Sequence, residues 1–319
     1  MAKKLSARNK PSVSIIGIGR VGQALANALQ SVGYPVVALV FRDSAQAKRA
    51  RKLFSKSTFP DTLLLASDQL ESLPASDLLL ITTPDDAIEE MAEKVAALPN
   101  GGRPNGKPNG KQSAVLHTSG ALSSDALAPL SKVGFSVGSI HPLVAIDPAE
   151  GAAALRGAFY CIEGRKLAAS FAKSIALDLG GTPIRIKTAN KALYHAAAVM
   201  ASPHVVALFD LAVKLMVMSG VEWSDARKML LPLVDSTVKN LRARAPSSAL
   251  TGTFARGDIG TVERHLKALS QGSPGDALEV YKLLGLRSLQ LAKENGLDPA
   301  KVKQITKLLK SKPKKPAKP

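Results

Sequence analysis

Three glycines in six residues, Gly17-Ile18-Gly19-Arg20-Val21-Gly22, close one apolar run and open another. The first glycine permits a tight turn, the second lets an anion approach the backbone, and the third lets a helix pack close to a strand. The amides at the helix start then face the anion. The chemistry expected of this spacing is the cradling of a pyrophosphate, so Gly17, Gly19, Arg20, Val21 and Gly22 are read as a dinucleotide-binding turn. One strand later, Phe41-Arg42-Asp43-Ser44 stands where an acid would hold the ribose 2′-hydroxyl of NAD, and Lys48, Arg49 and Arg51 follow. The guanidinium of Arg42, with Ser44 beside it, suits the 2′-phosphate of NADP through paired, charge-assisted bonds. Were the Asp43 carboxylate to face the ribose instead, it would repel that phosphate and reverse the preference. NADP is the expected cofactor and NAD the less favoured one.

A nicotinamide carries hydride, so the chain need add only orientation and a proton donor or acceptor. Three places offer these. Thr82-Thr83-Pro84-Asp85 ends an apolar strand, where Thr82, Thr83 and Pro84 would line the cofactor or simply cap a helix. His117-Thr118-Ser119-Gly120 and His141-Pro142 end two later strands in the same way, and either histidine can polarise a substrate or be merely hydrogen-bonded. Lys191 and His195, four apart, share a helix face with Ser202, while His204 points elsewhere. That face is read either as a source of protons or as a partly solvated helix start. Lys191, His195, His117 and His141 form the expected catalytic set. The histidines at 117, 141, 195, 204 and 265 and the single Cys161 show no metal-ligand spacing, so no metal is expected.

The elements that must position these residues follow from hydrophobic period. SVSIIGIG, PVVALVF, TLLLAS, DLLLITTP, SAVLH and FSVGSIH read as strands, with helices at RVGQALANALQSVG, SAQAKRARKLFSK, DDAIEEMAEKVAAL and LSSDALAPLSKVG. FYCIEG, a helix over 165–179 and TPIRI extend the same alternation, which implies a doubly wound parallel sheet over residues 12–187. Residues 100–112 (NGGRPNGKPNGKQ) read as a surface insert. From about Thr188 only helical patterns remain, giving an all-helical C-terminal domain over 188–309 with interruptions at Gly220, 245–252, 272–275 and Gly296. Its first helix holds ALYHAAAVMASPHVVALF, without a formal charge. Two histidines, Ser202 and Pro203 argue against a membrane span, and the stretch is read as a helix buried on most sides by other helices or by a second subunit.

With 319 residues and 45% apolar content the chain can fill roughly two cores, which excludes disorder and a disulfide scaffold. The net charge of +18 sits mostly at the ends: the leader 1–11, the insert, and eight lysines without an acid from Lys301 onward. Such ends, including the tail 310–319, read as solvated extensions with at most weak, salt-dependent contact to nucleic acid. The lone cysteine and the polar N-terminus (MAKKLSARNK) suggest a reducing cytoplasm.

GIGRVG, TTPDD, HTSGAL, SIHPL, the KALYHAAAVMAS helix and LTGTFARGDIGTVERHL together resemble Rossmann-like proteins carrying the domain of unknown function 2520, relatives of 6-phosphogluconate dehydrogenase, ketopantoate reductase and pyrroline-5-carboxylate reductase. The resemblance spans Val13 to about Gly296. It implies an NADP-binding Rossmann domain, a helical C-terminal domain used for homodimerisation, and an oxidoreductase activity without an assigned substrate. Lys191 matches a lysine that those relatives follow with an asparagine four residues on, whereas here His195 stands in that place. The expected function is hydride transfer between NADPH and a small carbonyl or imine held between the two domains. A non-catalytic NADP(H) sensor on the same fold is the alternative.

Overall fold

The computed structural model describes residues 10–53, 59–99, 113–147, 150–272 and 274–311. Most of the leader, the whole insert and most of the tail therefore lie outside the described residues. The chain divides into two compact units, Met1–Ser202 and Pro203–Pro319.

The first unit is built on an eight-stranded sheet of order β3-β2-β1-β4-β5-β6-β7-β8. Its elements are β1 (Val13–Ile16), α1 (Arg20–Ser31), β2 (Val36–Phe41), α2 (Ser44–Leu53), β3 (Leu63–Ala66), β4 (Leu78–Ile81), α3 (Ile88–Ala96), β5 (Ala114–His117), α4 (Ala128–Lys132), β6 (Ser136–Pro142), β7 (Phe159–Gly164), α5 (Lys166–Asp178), β8 (Thr182–Arg185) and α6 (Lys191–Ala201). The central strands β1, β4 and β5 are buried at every residue, as expected of a sheet covered on both faces. Alternation divides their side chains. Leu78 and Leu80 join Ile15, Leu25 and Ile175 on one face, while Leu79 and Ile81 join Ile16, Ile88 and Val95 on the other.

Strands β1 to β6 are all parallel, and the strand order reverses between β1 and β4. That reversal opens a crevice beyond the carboxyl ends of the strands, where ligands bind in such sheets. The expected all-parallel alternation breaks at β7, which runs antiparallel to β6, with β8 parallel to β7. Apolar period encodes a strand but not its direction. The link from β6 to β7 contains only the 3-10 turn Gly151–Leu155 among its described residues, and no helix carries the chain back along the sheet.

The second unit is helical throughout its described residues: α7 (Pro203–Met218), α8 (Trp223–Ala243), α9 (Pro246–Ala249), α10 (Gly252–Arg256), α11 (Ile259–Ser270), α12 (Ala277–Glu294) and α13 (Pro299–Lys310). Val262, Leu289, Ile305 and Leu309 form its core. Asp258 caps α11, its carboxylate accepting from the Thr261 amide at 3.0 Å. The breaks fall where the glycines and prolines place them.

Thr188–Met218 is long and apolar enough by length and composition to cross a membrane, and it is mostly exposed. Of the two covers expected for this stretch, other helices or a second subunit, the described residues of the chain supply little: Leu193 is 75% exposed, Met200 67% and Val206 69%. Nor is it one helix. Ser202 has φ −130° and ψ −80°, so α6 ends at Ala201 and α7 begins at Pro203, because a proline disfavours helical backbone at the residue before it. Ser202 consequently does not continue the Lys191 and His195 face.

The β6–β7 reversal depends on two glycines opposite one another. Gly164, at φ +122°, is so close to Gly138 that a Cβ would lie 2.3 Å from the Gly138 Cα. Gly164→Ala is expected to lower stability by about 2 to 4 kcal/mol, measured by urea denaturation. A loss under ~0.5 kcal/mol would show that the pair is not under this constraint.

Candidate functional site

The glycine turn sits at the switch point of the sheet, where β1 ends beside β4. Gly17 has φ +98° and its amide donates to the Val40 carbonyl at 2.9 Å. A Cβ at Gly17 would lie 2.7 Å from the Thr83 amide nitrogen, and one at Gly22 only 2.3 Å from the Gly17 oxygen. The Thr82 hydroxyl fastens the two strand ends, donating to the Gly17 carbonyl at 2.5 Å. Gly19, by contrast, faces open space. Arg20, Val21 and Gly22 form the first turn of α1, whose amides have no intrahelical acceptors, and the turn contains no acid. The Thr83 hydroxyl beside it is buried without a hydrogen-bond partner among the described residues. Pro84 precedes the 3-10 turn Asp85–Ala87, and no side chain caps that turn.

These residues fit a diphosphate. The backbone is bare where an anion would approach, the amides are unspent, and the orphaned Thr83 hydroxyl waits for an acceptor. At the end of β2 the neighbours Arg42 and Asp43 are engaged differently. The Asp43 carboxylate turns into α2 and accepts from the Gln46 amide at 2.7 Å. Arg42 and Ser44 are exposed, and the Ser67 hydroxyl holds the Arg42 carbonyl at 2.6 Å.

A second polar cluster lies at the carboxyl ends of β5 and β6, packed against α6. Lys191 is 1% exposed, and its Nζ donates to the Ser119 carbonyl at 2.7 Å and to the Ser139 hydroxyl at 3.1 Å. The Ser119 hydroxyl in turn donates to Asp85 at 2.7 Å and accepts from the amides of Ala121 and Leu122. Gly120 is required here: a Cβ would lie 2.4 Å from His195 Cδ2 and 2.9 Å from His141 Nε2. The two imidazoles meet edge to face with centroids 5.8 Å apart. His141 Nδ1 and the Tyr194 hydroxyl share a hydrogen bond of 2.9 Å, and Tyr194 also bonds with the buried Cys161 thiol. His195 is half-buried and makes no hydrogen bond among the described residues.

His117 is different in kind. It is fully buried, the Ser119 amide donates to its Nδ1 at 3.2 Å, and Nε2 lies 3.0 Å from the Ser123 carbonyl. An amide can only donate and a carbonyl only accept, so the ring is the neutral tautomer with its hydrogen on Nε2. Burial, reinforced by the Lys191 charge, pushes His117 down to about 4 and His141 likewise to about 4, so both are neutral near pH 7. Burial also pushes the Lys191 ammonium down, opposed by the nearby Cys161, Glu163 and Asp85.

The structure thus brings Lys191, His195, His141 and His117 around one turn, Thr118–Gly120. It also adds residues that sequence reasoning missed: Ser119, Asp85, Ser139, Tyr194 and Glu163. Tyr194 could have been found from its place three residues after Lys191. Glu163 could have been found as the acid inside the apolar strand FYCIEG.

Residues 4–142 match the family model of the Rossmann-like domain, and residues 158–288 match that of the domain of unknown function DUF2520. Among solved structures, the fold is similar to that of a protein from Thermotoga maritima, with a TM-score of 0.67 at 20% identity over 89% of this chain and 99% of that one. It is similar also to an imine reductase from a Pseudomonas species (TM-score 0.58, 21% identity, 93% and 99% covered). Plasmodium falciparum pyrroline carboxylate reductase with NADP bound gives a TM-score of 0.54 at 13% identity, with 94% and 100% covered. At these identities the likeness establishes the fold. No curated protein matches the chain.

The two neutral histidines give stability a definite pH dependence. Their folded values lie below the ordinary 6.5, so the unfolded chain takes up protons that the folded chain refuses. Stability is complete above pH 6.5 and declines as pH falls toward 4. Denaturation midpoints measured at intervals between pH 7 and 4 should fall throughout this window, with a slope approaching two protons. A flat profile down to pH 4.5 would contradict the burial of both rings.

Proposed function

We propose that this chain, which joins a Rossmann-like domain to a DUF2520 domain, is an NADP-dependent oxidoreductase that reduces a small carbonyl or imine. The observation that carries this reading is the bare glycine turn with its orphaned Thr83 hydroxyl, set on the same sheet edge as the His141 and His195 pair. Gly17, Gly19, Arg20, Val21 and Gly22 would hold the diphosphate, with Thr82, Thr83 and Pro84 lining the cofactor. Arg42 and Ser44 would take the 2′-phosphate, since Asp43 is spent on its helix. A reduced nicotinamide, when bound, supplies hydride to the substrate carbon.

The chain's own task is then the proton. His195, half-buried and without a hydrogen bond among the described residues, would meet the substrate and give the proton that completes C–OH or C–NH. His141 and Tyr194 stand behind it, and the neutral His141 adds no charge at its edge. His117 supports the turn from within, and Lys191 holds the turn's carbonyl. The imine reductase and pyrroline carboxylate reductase folds favour C=N among the substrates to be tried first.

Two further readings accompany this one. The apolar side chains left exposed on α6 and α7 are covered by a second copy of the chain, and the protein works in a reducing cytoplasm, in keeping with its single, buried thiol.

The reaction is tested by following NADPH absorbance with a panel of cyclic imines, keto acids and aldehydes. Consumption is expected with at least one of them, reduced tenfold or more in His195→Ala. Tight NADPH binding without turnover across the panel would leave the sensor reading instead. Arg42→Ala should weaken NADPH by about ten- to a hundredfold and leave NADH unchanged, measured by calorimetry. Sedimentation should give a dimer that Val206→Lys converts to monomer; a wild-type monomer at micromolar concentration would end the dimer reading.

A further inference from the structure

Glu163 has no part in the chemistry proposed above, yet it is 1% exposed and therefore costly. It stands on β7 directly across from Ser139 of β6. Its two oxygens accept from four donors: the Ser124 amide at 2.9 Å, the Ser124 hydroxyl at 2.6 Å, the Ser139 hydroxyl at 3.2 Å and the Thr188 hydroxyl at 3.0 Å. Lys191 donates to that same Ser139 hydroxyl. Ser139 has a single hydrogen, and a carboxylate can only accept, so the hydroxyl gives its hydrogen to Glu163 and its lone pair to Lys191. The bridge therefore has one polarity, ammonium to hydroxyl to carboxylate. Thr188, in the 3-10 turn leading into α6, ties the carboxylate to the start of the Lys191 helix by a second route.

We infer that Glu163, acting through Ser139 and Thr188, is a positioning residue that keeps Lys191 an ammonium ion pinned to the Ser119 carbonyl, and so fixes Gly120 beneath His141 and His195. This rests on the reading of that turn as the place of reaction. Around Lys191 stand Glu163 and Cys161 from β7, Asp85 from the turn after β4, His117 from β5, His141 from β6 and His195 on its own helix. Of the acids among the described residues, Asp85 is bonded to the Ser119 hydroxyl, and only Glu163 reaches the ammonium through a hydrogen-bonded bridge. Removing its charge leaves a buried cation with one carboxylate fewer, and the amine then loses its proton more readily. A neutral amine holds the Ser119 carbonyl less firmly, and the turn loosens.

The test is an NMR titration of the full chain with labelled lysine, the Lys191 signal being the one absent from Lys191→Met. Glu163→Gln keeps the shape and removes the charge. Ser139→Ala removes the bridge while leaving Glu163 with Ser124 and Thr188. Both should move the Lys191 titration midpoint down by one pH unit or more, a tenfold loss of proton affinity, and Glu163→Asp should restore part of it. A midpoint unmoved in both variants, even with lowered thermal stability, would overturn the inference and leave Glu163 a structural residue. Should Glu163→Gln fail to fold, Ser139→Ala decides alone. The titration needs no substrate, so a chain that never consumes NADPH would sink the proposed reaction and leave this result readable on its own.

Discussion

A cation almost without access to water lies at the carboxyl edge of the sheet, and its surroundings are organised around that cost. Moving an ammonium into a protein interior is unfavourable by several kcal/mol unless acceptors replace its hydration. Lys191 finds one acceptor in the backbone after β5 and one in a side chain of β6, and the compensating carboxylate comes from β7. Three strands and a helix are thereby committed to one geometry. The same charge helps to keep His117 and His141 neutral, which suits rings that must donate and accept hydrogen bonds without attracting counterions. His195, in edge-to-face contact with His141 and without a hydrogen bond among the described residues, is the adaptable member of the group.

What the amino-acid sequence disclosed, and what it withheld, follows from where each constraint acts. The glycine turn was legible because a positive φ at Gly17 and the close approach of Gly22 to the Gly17 carbonyl leave a mark on residue type itself. Lys191 and His195 were legible through helical spacing, which is local. Glu163, Ser139 and Ser119 were not, since they come from three separate segments and only the strand order assembles them. The reversal of β7 was equally hidden, because an apolar strand has the same pattern in either direction. Had β7 been taken as reversed, the pairing of Ser139 with Glu163 would have been the natural thing to look for.

The long apolar stretch illustrates a different limit. Its composition states that a surface prefers to avoid water but not whether helices of the same chain or a second subunit cover it, and the described residues leave Leu193, Met200 and Val206 exposed. Pro203 carries the signal for the interruption at Ser202, a backbone rule acting on two adjacent residues, although helical spacing alone ran the helix through it. Local spacing placed Lys191 and His195 together but carried Ser202 past a proline, and burial is a property of the assembled molecule that spacing does not state.

The division of labour between Arg42 and Asp43 has an evolutionary consequence. The acid serves the architecture of α2, while its neighbour is exposed and its side chain makes no hydrogen bond among the described residues. On the proposed function, nucleotide preference would be encoded at a site that can mutate without threatening the scaffold. A lineage of such proteins could drift between phosphorylated and unphosphorylated dinucleotides by exchanging one side chain, with folding indifferent to the outcome.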